Sequence, residues 1–529
     1  MSIIISGIRL PFDRPEEEAV HTALTRCGLH AASALRADIY RCSIDARHGK
    51  VQKVYSVCVH GVEEETHFVE ALHDSTVRCK SDAVLEPVRG STRSVHRPVV
   101  IGMGPAGLFA AYELARYGYC PLVFERGDDL THRDDAVKNF FEQGMLDEAC
   151  NIQFGEGGAG AYSDGKLTTR INDPRCESVL RTLVEHGAPE EILRQAKPHI
   201  GTDILKNVVR AMRESILAAG GEVRFRAPLT GLETRGDVLA GVRIDGQGVP
   251  CERAVLAIGH SARDTFAWLA NTVYMEPKAF SVGARIEHAQ VEIDRMLYGR
   301  LAGHPALPPA EYTLSHRDDK RACYSFCMCP GGEVVAAQSE ANTVVTNGMS
   351  YHARDGRNAN AAIVVSVEPS DFPESGALGG VAFQREIERT AYRLTGSYQA
   401  PCQRVGDFME GRRSTKCGQV RPTYPRGVQL GTIEPCLPDF VTDKMREGLR
   451  AFERRMRGFA MPDALLTAPE TRTSSPVRLA RGDDLFSRSL HGLIPCGEGA
   501  GYAGGIMSAA VDGIRAAHQV IQELKPVED

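Results

Sequence analysis

The sequence predicts an α/β protein: a parallel-sheet domain, a mixed α+β domain inserted into it, and a small α+β module in front. Three observations predict it. An apolar strand, Val99–Ile101, runs into a glycine-rich turn and then a helix, the opening of an α/β unit. A second strand–glycine–helix stretch stands near the C-terminus, from Gly492 to Ile521, whereas residues from about 270 to 420 mix strand and turn signals. The order before Pro98 is different again, with short strands and helices of its own. At 529 residues, 43% hydrophobic and 25% charged, the chain has a globular composition, and its length suggests several domains. The expected boundaries are 1–94 for the module, 95–270 and 421–529 for the two parts of the parallel-sheet domain, and 271–420 for the insertion.

The module opens with the apolar run Ile3 to Ile5, followed by a helix-like stretch from Pro15 to Cys27. Tyr40, Cys42, Ile44 and Ala46 alternate with Arg41, Ser43 and Asp45, the period of a half-buried strand. After the turn Arg47-His48-Gly49-Lys50 come a strand (Val54 to His60), a helix (Glu63 to Leu72) and a last strand (Thr76 to Cys79). This β-α-β-β-α-β order suits a small sandwich. Arg89 to Arg97 reads as a linker.

Next comes Gly102-Met103-Gly104-Pro105-Ala106-Gly107, then a helix that stops at Gly118, a strand Leu122-Val123-Phe124, and Glu125. This is the full dinucleotide-binding, Rossmann-like context. Gly102 permits the tight turn, Gly104 admits pyrophosphate to the backbone, and Gly107 lets helix and strand close. The helix start at Pro105 and Ala106 offers free N–H groups and a positive dipole end. Glu125 is placed to accept from ribose hydroxyls and to repel a 2′-phosphate, with Arg126 beside it. Farther on, Thr202 to Ala219 has helical spacing, and Glu222 to Arg226, Val238 to Ile244 and Ala254 to Ile258 read as strands, the last ending at Gly259.

The late segment Gly497-Glu498-Gly499 precedes Gly504-Gly505 and the helix that starts at Ile506. With the fingerprint and the Gly259 strand, this resembles the two-dinucleotide-fold flavoproteins with glutathione-reductase-like FAD domains. The strings FGEGGAGAYSDGKLTTR (154 to 170), KAFSVGARIEHAQ (278 to 290), YSFCMCPGGEVVAAQSE (324 to 340), NGMSYHARDGRNANAA (347 to 362), TRTSSPVR (471 to 478) and GLIPCGEGAGYAGGIMSAAVDGIRAA (492 to 517) are similar to the bacterial FAD-dependent (NAD(FAD)-utilizing) dehydrogenase family, over nearly the whole chain. The resemblance implies a Rossmann-like FAD-binding domain, FAD as cofactor, Glu498 on the ribitol where many members carry Asp, and the Ile506 helix aimed at the ring. It also implies that Gly157, Gly158 and Gly160 lie in a loop against the flavin. Ala161-Tyr162 and Ala289 depart from the family's usual Thr-Phe and Pro, on the substrate side. A second Gly-x-Gly-x-x-Gly for NAD(P)H is absent from the sequence.

Three residues are candidates for the chemistry. Lys166 would stabilise negative charge on reduced flavin. His288, whose imidazole titrates near neutrality, would transfer a proton, although Glu287 and His288 point to opposite faces if they lie on a strand. Arg354 would anchor a substrate carboxylate, within the polar run Asn347, Ser350, Asn358 and Asn360. Cys327 and Cys329 would share a face of a strand; electron exchange with flavin is one reading of the pair, and buried, inert thiols are the favoured one. Arg446 to Arg457 reads as an amphipathic surface helix.

Other classes are excluded or disfavoured. With 62 Lys+Arg against 68 Asp+Glu and a net charge of −6, a nucleic-acid partner is not expected. Fifteen scattered cysteines point to reduced thiols in a cytoplasmic protein, and no metal-ligand spacing is present. No run has the length of a membrane span, and Met1 to Gly7 lacks the basic start of a signal peptide. The expected function is hydride transfer between a small organic substrate and flavin N5. An RNA-modifying flavoprotein and a non-catalytic flavin sensor are the alternatives.

Overall fold

The computed structural model describes residues 2–29, 36–47, 50–80 and 86–527. The module has the expected order. Ser2–Pro11, Arg36–Asp45, Gln52–His60 and Val77–Lys80 form an antiparallel sheet, with Ser2–Pro11 between Gln52–His60 and Val77–Lys80. Ala19 and Ala23 of one helix and Phe68 of the other pack over Ile3, Ile5, Tyr55 and Val57. Of the turn expected at 47–50, His48 and Gly49 lie outside the described residues.

The stretch from Arg89 to Arg97 is not a free linker, which corrects the expectation. Gly90 N–H donates to Ile521 O at 2.9 Å, and Thr92–Arg93 pairs in parallel with Leu524–Lys525. The backbone N–H groups of Val95 and His96 donate to Glu252. Its polar side chains hid a role carried by the backbone.

The parallel sheet runs Leu493–Pro495, Ala254–Leu256, Val99–Ile101, Leu122–Phe124, Glu222–Arg224, parallel throughout. Its strands are short and apolar because both faces are covered. Alternation assigns the faces. Val100, Val123, Val255 and Ile494 pack with the helices Pro105–Arg116, Thr202–Ala218 and Ile506–Glu523. Val99, Ile101, Phe124 and Leu256 pack with Leu229, Leu239 and Val242, which belong to an antiparallel three-stranded layer, Leu229–Arg235, Val238–Ile244 and Gln247–Pro250. The strand expected at 238–244 therefore forms, but outside the parallel sheet.

The inserted domain is a seven-stranded sheet whose centre is Asn358–Val367, Phe280–Ala289 and Leu465–Glu470. The expected end at residue 420 is too early, since Leu465–Glu470 pairs with both Phe280–Ala289 and Ala400–Arg404. All six of its residues are buried, so no polar alternation marks it as a strand of this sheet. The helix Asp439–Arg455 packs its apolar side, Val441, Met445, Leu449 and Phe452, into the same core, as an amphipathic surface helix should.

Buried charge joins the two domains. Arg263, on a short helix after the parallel sheet, donates from both terminal nitrogens to Glu388 at 2.7 Å, and Arg472 donates to the same carboxylate at 3.1 and 3.2 Å. The three side chains are at most 2% exposed. Burial pushes the Glu388 carboxyl up, but the two guanidinium groups outweigh it and hold it well below the usual carboxylate range. Removing one member of such a cluster strands buried charge. Glu388→Ala should lower unfolding stability by about 3 to 5 kcal/mol in a urea titration; a loss under about 1 kcal/mol would place the cluster in water.

Candidate active site

The fingerprint glycines do three different things. Gly102 has a φ of +94°, and a Cβ there would stand 2.4 Å from Ala257 O. A Cβ on Gly107 would lie 1.9 Å from Gly102 O, so this glycine serves helix–strand closure and does not face the cleft. Gly104, by contrast, has an ordinary φ of −73°, and the nearest atom to a Cβ there is Gly158 Cα at 3.7 Å. The space above Gly104 is open. Pro105 begins the helix with no side chain capping its N-terminus, so its first N–H groups are free for an anion.

Glu125 does more than the sequence suggested. It is 4% exposed. Its Oε2 accepts from Met103 N–H at 2.7 Å, and its Oε1 accepts from the N–H groups of Gly127 and Gly155, both at 2.9 Å. One carboxylate thus ties the phosphate loop to the glycine loop 155–160. A carboxylate has about four lone-pair sites, which leaves Oε2 room for a ribose hydroxyl. Arg126 beside it pairs with Asp264 and lies over the Phe154 ring, 4.5 Å from its centroid.

The late segment supplies the second open helix end. Gly505 caps Ile506–Glu523 with no side-chain partner, like Gly104. Among the described residues, the one hydrogen-bond partner of the Glu498 carboxylate is Gly505 N–H, at 3.5 Å. Burial raises its carboxyl to about 7, against the lowering effects of Gly505 N–H and Lys278.

These parts line one cleft, which encloses about 1530 Å³ with its open mouth included. Of the residues expected to hold the cofactor, Gly102, Gly104, Pro105, Ala106, Glu125 and Arg126 line it, as do Gly158, Gly160, Gly259, Glu498, Gly505 and Ile506. Gly107, Gly157, Gly497, Gly499 and Gly504 do not. Gly157 N–H donates to Met103 O at 2.8 Å, and a Cβ on Gly499 would stand 2.5 Å from Gly259 O, so these two shape the wall from behind. The other wall belongs to the inserted domain, through Phe326, Cys327, Asn347 and Glu470, with Arg472 and Thr473 just after its last strand. Asn347, from the polar run expected to line a substrate pocket, stands on this wall, and the inserted segment meets the cleft there as expected; Phe326, Glu470, Gln153 and Phe154 were not singled out, because no motif marks their residue types.

The three chemical candidates separate. Lys166 lines the cleft, donates to Met328 O and stands 3.8 Å from Asp164. Arg354 does not line it. Its guanidinium is engaged by Asp164, to which Ser350 also donates, so the expected substrate clamp already holds a carboxylate of this chain. His288 is fully buried on Phe280–Ala289, with Nε2 at 2.7 Å from Phe459 O. Burial lowers it to about 4, so it is a neutral core histidine away from the cleft. Of the polar run, only Asn347 reaches the cleft; Asn358 donates to Glu287 and Asn360 accepts from Arg285.

The protein is thus a Rossmann-type dinucleotide-binding protein with a second domain closing over its cleft. Residues 100–140 match the NAD(P)-binding Rossmann-like domain, and residues 279–473 match the family described as FAD-dependent protein, C-terminal domain-like. An uncharacterized protein from Clostridium beijerinckii is 47% identical over 529 residues, covering 99% of each chain. The chain belongs to this family of FAD-dependent proteins. Similar solved structures include CtdE in complex with FAD and a substrate, with 13% identity, a TM-score of 0.33, and coverage of 79% of this chain and 77% of that one. A geranylgeranyl bacteriochlorophyll reductase-like protein from Thermoplasma acidophilum has 13% identity, a TM-score of 0.34, and coverage of 82% and 78%. At such scores the likenesses carry no further argument.

FAD is the cofactor, and the site fits it. Two uncapped helix N-termini, the open space over Gly104 and the nearly unpartnered Glu498 all face one cleft. Bound there, FAD supplies two-electron redox chemistry. Among the described residues, the one grouping with metal-ligand spacing is Asp128, Asp129 and His132 on the surface, where Asp129 caps the following helix.

Two expectations follow from this geometry. Gly104→Val keeps an allowed φ, so the fold should persist while FAD is lost on gel filtration; full retention would move the phosphate elsewhere. A ribitol hydroxyl donates best to ionised Glu498. FAD affinity should therefore be level above pH about 7 and fall by up to about tenfold per unit below it. Glu498→Gln should flatten that profile in titrations of the apoprotein, and an unchanged slope would assign the proton to another group.

Proposed function

We propose that the chain is an FAD-dependent oxidoreductase that transfers hydride between a small organic substrate and the flavin. The observation that carries this reading is the composite cleft: one wall carries the phosphate loop, Glu498 and the Gly505 helix start, and the facing wall comes from another domain. A cofactor held for structural reasons needs no such second wall, whereas a substrate must be oriented and shielded from water. Family membership supports the cofactor half of the reading.

In this reading each wall residue has a task. Lys166, fixed by Met328 O and near Asp164, presents positive charge to the cleft. Asp164 is the partner that orients it, itself held by Arg354 and Ser350. Asn347 and Thr473 are the neutral hydrogen-bonding groups for substrate. His288 has no part, and Arg354 acts only by positioning Asp164.

The test is an anaerobic screen of organic donors and NAD(P)H, watching loss of flavin absorbance. Failure of every class to change that absorbance in FAD-loaded protein would overturn the proposal. With a reducing compound in hand, Lys166→Met should retain FAD but slow flavin reduction about 100-fold, the scale of a lost electrostatic contact. Reduction at the wild-type rate would remove Lys166 from the chemistry.

A further inference from the structure

The cleft contains a feature that substrate oxidation does not require. Cys327 is half-buried, lines the cleft and has a φ of +44°, in the left-handed region that favours glycine or asparagine. It sits in a bulge. The pairing of Ala322–Cys329 with Asn358–Val367 slips between Phe326 and Cys329, so the strand bends there. Two cations hold the bend. Arg285 Nη1 donates to Cys327 O at 3.1 Å, and Lys166 Nζ donates to Met328 O. Arg285 is in turn fixed by Glu470 and Asn360. The second cysteine closes the loop: Cys329 Sγ donates to Cys327 O at 3.4 Å.

A strained backbone, a buried and a cleft-lining cationic anchor and an accessible thiol form a costly arrangement for an inert cysteine, and such strain concentrates at functional sites. Reactive cysteines lie in electropositive, partly exposed surroundings, and Cys327 has both properties. The neighbouring Cys329 thiol, aided by Arg285 and Lys166 and opposed by burial, shifts the Cys327 thiol downward. Among the described residues no other cysteine is shifted downward; burial raises thiols such as Cys323, Cys402 and Cys496. The location is also informative. Cys327 lines the same cleft as Glu498 and the Gly505 helix start, and its charge contributes to the raised Glu498 carboxyl.

We infer that Cys327 and Cys329 are a redox-active thiol pair that exchanges an electron pair with FAD. Oxidation forms the Sγ–Sγ bond, releases the two thiol protons, and delivers the electron pair together with two protons to the oxidised isoalloxazine ring. The reverse step breaks that bond and restores both thiols. Two residues of extended chain span at most about 7 Å; the bulge shortens this toward the 4.4 to 6.8 Å that a disulfide requires between Cα atoms. Cys327 is the exposed partner, open to exchange with an external thiol or disulfide, and Cys329 is the buried resolving partner. The inference rests on the FAD site and is independent of the organic substrate proposed above.

FAD-loaded full-length protein, oxidised with diamide and desalted, should be titrated anaerobically with dithionite. Wild type is expected to take up one electron pair more than its FAD accounts for, and Cys327→Ser and Cys329→Ser should each lose that extra pair. Uptake by the flavin alone in wild type, or an extra pair retained in Cys327→Ser, would overturn the inference. A second readout uses reduced thiols with oxidised flavin. Cys329→Ser should show a long-wavelength thiolate-to-flavin absorption band that Cys327→Ser lacks, and an equal band in Cys327→Ser would overturn the assignment of Cys327. Should both variants fail to fold, iodoacetamide labelling and peptide mapping of the diamide-treated wild type decide the matter: protection of both Cys327 and Cys329, reversed by dithionite, supports the pair, and full labelling overturns it. A preparation that holds no FAD is recognised by its lack of colour before any titration begins.

Discussion

The cleft exists because two sheets that share no hydrogen-bonded strand are joined by buried charge. Glu388 comes from a helix of the inserted domain, Arg263 from the parallel-sheet domain and Arg472 from the return crossing between them. Apolar contact alone would let the domains slide, because dispersion and burial have little directionality. Paired guanidinium–carboxylate bonds fix both distance and angle. Arg285 and Glu470, also buried, sit on neighbouring strands of the inserted sheet and fix its cleft side, where Arg285 also donates to Cys327 O and Asn347.

Glu125 plays the equivalent part inside the Rossmann half. The loops at 103, 127 and 155 are far apart in sequence, and each presents an N–H to the same carboxylate. Burying one anion is tolerable because three donors replace its hydration. The cofactor-facing surface is thereby organised by the chain itself. Both helix N-termini that face the cleft begin at glycine with no capping side chain, so their polarity stays available to a ligand.

The sequence made the fold class, the module and the phosphate loop legible, for physical reasons. Short-range rules govern them: a strand–turn–helix with glycines at fixed offsets, alternation at Tyr40 to Ala46, helical spacing at Thr202 to Ala219. Residues such as Gly104 and Gly505 could be placed because their function is backbone function. The errors have a common cause. His288 and Arg354 were chosen by side-chain type, yet what each does depends on partners more than a hundred residues away, Phe459 O and the Asp164 carboxylate. The end of the inserted domain was missed because Leu465–Glu470 is buried on both faces and carries no period. Likewise, Cys327 and Cys329 would share a face of a regular strand; the bulge changes that, and no local signal announces a bulge.

The proton inventory of the cleft narrows what chemistry its walls can do. Imidazole is the usual carrier near neutrality, but among the described residues the one histidine lining the cleft is His260. Burial lowers it to about 3, and the charges of Arg472 and Arg263 add to the shift; it is a neutral ring whose Nδ1 lies 3.0 Å from Ser261 Oγ. The fixed positive charges of Lys166, Arg126 and Arg472 can steady an anion. Arginine does not release a proton at ordinary pH. Two groups lining the cleft remain that can change protonation near neutrality, the Glu498 carboxyl and the Cys327 thiol, and they act on one another's charge. Two such groups titrate as a pair: losing the proton from one makes it harder to remove from the other. Negative charge on Cys327 thus favours the proton staying on Glu498, and the cleft histidine His260 takes no part.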